Sequence, residues 1–346
     1  MPAWDMADDR LRAHLGELGA TDAQLADLGN DDLIGLAGDL QLAGGLTLTL
    51  DDVARQVGCD PDEVRTIYEG LGLRVDDLAG FGDGDVALVS LVAHDTSGII
   101  DTVGSQLLRV AGSALSRLAE ATVAAYVQDV ENRGDDSRDL IAEADQNAFA
   151  STLVLVLGDV LPTAFRHHMW TSVRRQRAAQ DGIVEPELVR LAVGFVDLVG
   201  FTSFSRFASP AELIATIEDF ERRAFETAHR LGGRIVKSIG DEVMIAASDA
   251  RIVAAIALEL VATTGDDPSV APRGGVSAGD VLFRLGDYYG PVVNLASRLT
   301  TEAVPGEVLT DQSTDVGPGL TLQPAGRRTL KGFADPVAVW TVESAG

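Results

Sequence analysis

The spacing of apolar positions along the 346-residue chain changes once, near Leu188. Before that point apolar residues recur at helical intervals, and the segments "DAQLADLGNDDLIGLAGDL", "DDVARQVG" and "PDEVRTIYEGLG" read as a series of short helices. Two further helical stretches, 97–134 and 137–180, complete this half. In the first of these Ile100, Val103, Leu107, Val110, Ala114 and Leu118 share one face, which the pattern predicts to be buried. In the second, the apolar run "AFASTLVLVLGDVL" extends about a dozen residues before Asp159 and Pro162 interrupt it, short of the roughly 20 needed to span a bilayer. It reads as a buried helix, and the half as an α-helical bundle without a membrane span.

After Leu188 the period shortens. "LVRLAVGFVDLVGF" is a β run, and the helix that follows carries its start signals: Ser209 as N-cap, Pro210 at the first position and Glu212 three residues after the cap. Leu213, Ile217, Phe220, Ala224 and Leu231 line one face of it before Gly232 and Gly233 end it. Next come a hairpin "IVKSIGDEVMIAA", a helix "ARIVAAIALELVATT", a strand around "RGGVSAGDVLF", a helix opening at Pro291 or Val292, and a closing β pair in "LQPAGRRTLKGFADPVAVWTV". This order predicts an α+β fold of ferredoxin or palm type, with helices on one side of a mostly antiparallel sheet. The expected boundaries are a helical regulatory domain at 1–165, a basic helical linker at 166–185 and a catalytic domain at 186–346.

Charge separates the same two halves. The net charge is −26. Residues 191–346 hold 13 Lys and Arg against 20 Asp and Glu, which leaves the first 190 residues with a charge of −19. Such a surface argues against broad binding to nucleic acid or an anionic membrane. "RHHMWTSVRRQRAAQDG" is the exception, with four arginines and the paired His167 and His168 ahead of Asp181. A single cysteine, Cys59, permits no internal disulfide, and the acidic N-terminal stretch lacks the basic flank and apolar block of a signal peptide, so the expected location is cytoplasmic.

The chemistry concentrates in the second half. Asp197 interrupts an apolar strand, where an unpaired carboxylate is costly, so a positive group should face it. If that strand and the hairpin are neighbours, Asp241 at the turn lies beside Asp197, and two hard carboxylates suit Mg²⁺ or Mn²⁺ with phosphate oxygens. Each aspartate alone also reads as a turn or cap residue. Gly200 and the amides after it, at Phe201 and Thr202, offer a phosphate cradle. In "GDYYGPVVNLASRL" the helix puts Asn294 and Arg298 one turn apart on one face, an amide and a guanidinium suited to a ribose and a phosphate. Taken singly, Asp287 also reads as a solvated loop acid and Arg298 as a surface helix residue.

"FVDLVGFT", "VKSIGDEVM" and "GDYYGPVVNLASRL", in this order and at these separations, resemble the three motifs of class III adenylate cyclases, and the likeness covers roughly Leu191 to Glu343. The resemblance implies that Asp197 and Asp241 bind two metal ions, that Lys237 and Asp287 select the purine, that Asn294 orients the ribose and that Arg298 stabilises the transition state. It further implies β- and γ-phosphate contacts from Arg273 and Lys331, ATP as substrate, and a homodimer with two shared active sites. Adenine presents an acceptor at N1 and a donor at its 6-amino group, which a lysine and an aspartate match; guanine presents the reverse. "IGDEVM" is also faintly similar to the Gly-Gly-Asp-Glu-Phe hairpin of diguanylate cyclases, but Ile239 stands where the first glycine belongs.

In the first half, "LTLTLDDVARQVGCDPDEVRTIYEGLGL" resembles the helix-turn-helix of transcriptional activators. Its second helix opens with Asp60, Asp62 and Glu63, where phosphate contacts would be needed, so a protein module is the expectation; the alternative is a catalytically silent, nucleotide-sensing or DNA-binding regulator using residues 47–74. The arrangement as a whole resembles mycobacterial-type cyclases with an autoinhibitory, pH-responsive N-terminal domain. That makes His167 and His168 candidate regulatory residues and a proton or fatty acid a candidate effector.

Overall fold

The computed structural model describes residues 3–26, 28–94, 104–132, 139–179, 188–262 and 270–345. The chain divides into two units, 1–168 and 169–346. The first contains α1 (Ala3–Glu17), α2 (Asp22–Leu25), α3 (Asn30–Leu42), α4 (Leu50–Val57), α5 (Pro61–Gly70), α6 (Asp83–Ala93), α7 (Ser105–Asn132) and most of α8 (Leu140–Ala179). Leu11 and Leu15 of α1 pack with Leu33, Ile34 and Ala37 of α3 and Ala144 of α8. His14 on α1 bonds Asp145 on α8 at 2.7 Å. A second cluster joins Val53 of α4, Val64, Ile67 and Tyr68 of α5, Phe81 and Val89. The helix-turn-helix-like segment is α4 and α5. Thr49 and Asp52 form a capping box on α4, Gly58 ends it with φ +80°, and Asp60 caps α5 by accepting from the Asp62 amide. The acids there serve the helix starts.

Two expectations for this unit fail. The face predicted for the first long helix is not buried: Leu107 is 61% exposed and Leu118 36%, while Ile100 and Val103 lie outside the described residues. Instead Leu108 and Gly112 press on the end of α5, a Cβ on Gly112 falling 2.0 Å from the Leu71 carbonyl oxygen. Beyond Gly112 the described residues of α7 are largely exposed. Nor is the apolar run buried. Pro162 does not end α8, which spans 40 residues from Leu140 to Ala179, and Phe149, Phe165 and Trp170 on it are each 65% exposed. By length and composition alone Leu140–Arg175 is long enough to cross a membrane. The basic linker is the C-terminal part of α8, helical through Ala179; residues 180–185 lie outside the described ones.

The second unit runs β1 (Leu188–Val199), α9 (Phe201–Phe204), α10 (Pro210–Leu231), β2 (Arg234–Ile239), β3 (Glu242–Ala247), α11 (Ala250–Ala262), β4 (Ala271–Arg284), β5 (Asp287–Tyr289), α12 (Pro291–Glu302), β6 (Val308–Asp311), β7 (Leu320–Arg328) and β8 (Val337–Ser344). The sheet order is β2-β3-β1-β4-β6-β8-β7, with β5 paired to β4. All pairs are antiparallel except β4 with β6. Strand parity sorts the two faces. Ala192, Val196 and Leu198 of β1 pack with Phe220 and Ala224 of α10 and Val253 and Ala257 of α11. Val193 and Phe195 face the other way, with Ala296 of α12. The helices therefore cover both sides, not one. Gly275 on β4 is the reason: a Cβ there would lie 2.3 Å from the Thr300 amide nitrogen, so only glycine lets α12 seat on the strand. The buried Thr300 hydroxyl completes the join by donating to the Phe195 carbonyl at 3.2 Å.

Candidate active site

Asp197 sits near the end of the central strand β1, on the α12 side of the sheet, flanked in register by Glu242 on β3 and Arg273 on β4. Arg273 is the positive group that the strand acid requires. Its Nε donates to Asp197 Oδ1 at 2.7 Å and an Nη to Oδ2 at 3.1 Å, while the other Nη donates to the carbonyls of Thr301 and Ala303. The bonds to Asp197 push the guanidinium pKa further up. Asp241 comes alongside because β2 and β3 join through a two-residue turn. Gly240 takes φ +62° at its first position, and the Leu198 amide donates to the Asp241 carbonyl at 3.1 Å. Burial first, then the Asp197 charge, raises the Asp241 carboxyl pKa. The same two causes lift Glu242 to about 6.

Lys237 and Asp287 form a second cluster. A bulge between Ile235 and Lys237 re-aims the lysine, whose amine donates to Asp287 Oδ2 at 2.5 Å. Asp287 is held by the Tyr288 amide at 2.8 Å and follows a tight turn in which both Leu285 and Gly286 have positive φ. Both side chains of the pair are partly exposed, 34% and 25%. A third group lies on α12. Pro291 opens the helix, Asn294 is exposed, and Arg298, one turn on, donates through Nε to the Lys331 carbonyl at 3.3 Å. The structure thus brings Asp197, Asp241 and Arg273 together, Lys237 with Asp287, and Arg298 with Lys331. Among the described residues no hydrogen bond joins one group to another. Phe201 and Thr202 form the first turn of α9 after a left-handed Gly200. The Phe201 ring packs toward the core, which leaves its backbone as the only part that can meet a phosphate.

The family profile described as adenylate and guanylate cyclase catalytic domain matches residues 184–343. An adenylate cyclase of Streptomyces coelicolor is 33% identical over 83% of this chain and 75% of its own length. The chain belongs to the class III nucleotide cyclases. An uncharacterized protein of Mycobacterium tuberculosis is 34% identical over 97% of this chain and 92% of its own, and a pH-sensitive adenylate cyclase of that species is 28% identical over 86% and 78%.

In this cyclase the carboxylates fit a divalent cation only in part. Among the described residues no group of three or more His, Cys, Asp or Glu converges on one point. Two aspartates make an incomplete oxygen shell, which suits an ion that takes its remaining ligands from phosphate and water. Residue-by-residue reading missed three features. The strand β5 is only three residues long, and its alternation is hidden in "GDYYG". The strand β6, whose four residues are all buried, carries no alternation. Arg234, whose guanidinium bonds the Tyr288 hydroxyl and lies 5.0 Å over its ring, has no motif.

Proposed function

We propose that this cyclase converts ATP to 3′,5′-cyclic AMP and pyrophosphate as a homodimer with two shared sites. The observation that carries the choice of ATP is the Lys237–Asp287 pair: a donor and an acceptor side by side match N1 and the 6-amino group of adenine. Asn294 orients the ribose, and Arg298, one helical turn away, meets the charge that develops on the α-phosphate as its 3′-oxygen attacks in line. Arg273 and Lys331 supply cations for the β- and γ-phosphates, and the amides of Phe201 and Thr202 bond phosphate oxygens. Two Mg²⁺ or Mn²⁺ ions on Asp197 and Asp241 would acidify the 3′-hydroxyl and neutralise phosphate charge. One chain carries every group, so each dimer has two equivalent sites built from opposite halves.

The test is cyclic-nucleotide production from ATP and from GTP with either metal, wild type beside Asp241→Ala. Asp241→Ala and Arg298→Ala, each inactive alone, should regain about a quarter of wild-type activity when refolded together, because half of the dimers then hold one intact site. No regain from verified mixed dimers would remove the shared-site reading.

The rest of the proposal concerns residues 1–165 as a regulatory domain and 166–185 as its linker, in a cytoplasmic enzyme with ATP at hand. Support comes from the position of His167 and His168 on the exposed part of α8 ahead of the catalytic unit. Protonation adds charge to that stretch, and a proton or a fatty acid is the proposed effector. Full-length His167→Gln/His168→Gln should lose a pH response of cyclic AMP formation between about pH 5.5 and 8. An unchanged profile would discard these histidines.

A further inference from the structure

At the end of β1 remote from Asp197, the second unit holds a cleft of about 520 Å³. Val173 of α8, Val189 and Leu191 of β1 and Phe283 of β4 give it an apolar lining, and Arg175, His229 and Arg234 are its ionisable groups besides the Tyr288 phenol. The described lining contains no aspartate or glutamate, although the chain has 53 acids against 27 bases. Among the described residues neither Arg175 nor Arg234 has a carboxylate partner. Arg234 is half-buried and held in place: its guanidinium bonds the Tyr288 hydroxyl and lies over the Tyr288 ring. Burial foremost, with the nearby Arg175 adding to it, pushes its pKa down. Two neighbouring guanidinium groups without an acid form an electrostatic deficit that an anion would relieve.

We propose that this cleft binds a small organic anion, a carboxylate or phosphate head on Arg234 and Arg175 with a compact apolar body against Val173, Leu191 and Phe283. The volume falls in the ordinary range of small-molecule sites. The site also reaches the nucleotide side of the protein. Tyr288, which lines the cleft, follows Asp287 and donates its amide to that carboxylate at 2.8 Å. An occupant that moves the Arg234–Tyr288 contact moves the acceptor proposed to read the purine, and so changes the KM for ATP. That last link rests on the adenylate cyclase reading, whereas binding itself does not.

The experiment uses the full-length protein without nucleotide, titrated by fluorine NMR with trifluoromethylbenzoate, trifluoromethylphenyl phosphate and the neutral trifluoromethylbenzamide. The expected result is saturable binding of at least one anion, one per chain, and none of the amide; which anion binds more tightly names the head group. Arg234→Gln and Arg175→Gln should each weaken that binding about tenfold or more. Arg175 is exposed on a helix, so a loss there does not reduce to misfolding. Absence of saturable anion binding, equal binding of the amide, or an affinity unchanged in either variant overturns the proposal. Bound anion with an unaltered KM for ATP removes only the link through Tyr288.

Discussion

The pairing of Arg273 with Asp197 allows a prediction whose magnitude follows from geometry. In Arg273→Met, Asp197 loses a bidentate partner at 2.7 and 3.1 Å, and the carbonyls of Thr301 and Ala303 lose their donor. Breaking a fully buried ion pair costs about 3–5 kcal/mol. Here the two side chains are 22% and 20% exposed, which leaves water partial access and trims the expectation to about 2–3 kcal/mol. For a domain of this size each kcal/mol lowers Tm by about 2–4 °C, so metal-free Arg273→Met should melt about 4–12 °C below wild type. The substitution also leaves a carboxylate that gains more from a cation than before. Mn²⁺ should therefore raise the Tm of the variant by more than that of wild type, read by differential scanning calorimetry of both proteins with and without MnCl₂. A variant that melts with wild type, or equal Mn²⁺ shifts in both, would refute the argument that Arg273 neutralises Asp197.

Asp287→Asn keeps an acceptor but adds a donor and frees Lys237; loss of one charge-assisted bond, about 1.5–3 kcal/mol, should lower kcat/KM for ATP by about ten- to a hundredfold and narrow the preference over GTP. A preference that stays put would take purine reading away from this pair. Gly275→Ala places a methyl 2.3 Å from the Thr300 amide, so α12 must shift, costing about 1–3 kcal/mol or more and displacing Asn294 and Arg298. Its cyclase rate should collapse in protein that still melts cooperatively. Asp52 has its pKa lowered to about 2, first by the Thr49 hydroxyl and amide, then by Arg55. A depressed carboxyl pKa stabilises the folded form above the unfolded value near 3.8, and the gain is lost as pH falls toward 2. The Tm gap between wild type and Asp52→Asn should accordingly narrow on going from about pH 5 to pH 3 and close only as pH falls through about 2.

Where local signals are strong, sequence and structure agree closely. The Ser209 capping box, Pro210 and Gly232 bound α10 as expected, and β1, the hairpin, α11 and α12 fall where the period and the turn residues put them. The candidate site was legible because three motifs of several residues each carry it, and they fall on β1, on the β2–β3 hairpin and on β5 with α12. What remained hidden was long-range. Parity puts Asp197 on one face of β1, but only the close approach at Gly275 shows that α12 covers that face. The misjudged helices share one cause. A helical period in α7 and an apolar run in α8 state that a face wants cover, and neither names the covering partner. In the described chain Leu107, Phe149 and Phe165 lack it.

The placement of the two proposed ion-pair clusters within the sheet bears on how such an enzyme changes over evolutionary time. Asp197 and Arg273 stand on β1 and β4, strands with neighbours on both sides, whereas Lys237 is on the edge strand β2 and Asp287 opens the three-residue β5. A replacement on the inner strands disturbs several partners at once, while one at the margin disturbs few. Under the roles proposed for the two pairs, substrate preference is free to drift through tolerated single steps while the reaction itself stays fixed, so descendants of this scaffold should diversify in which nucleotide they cyclise far sooner than in how they do it.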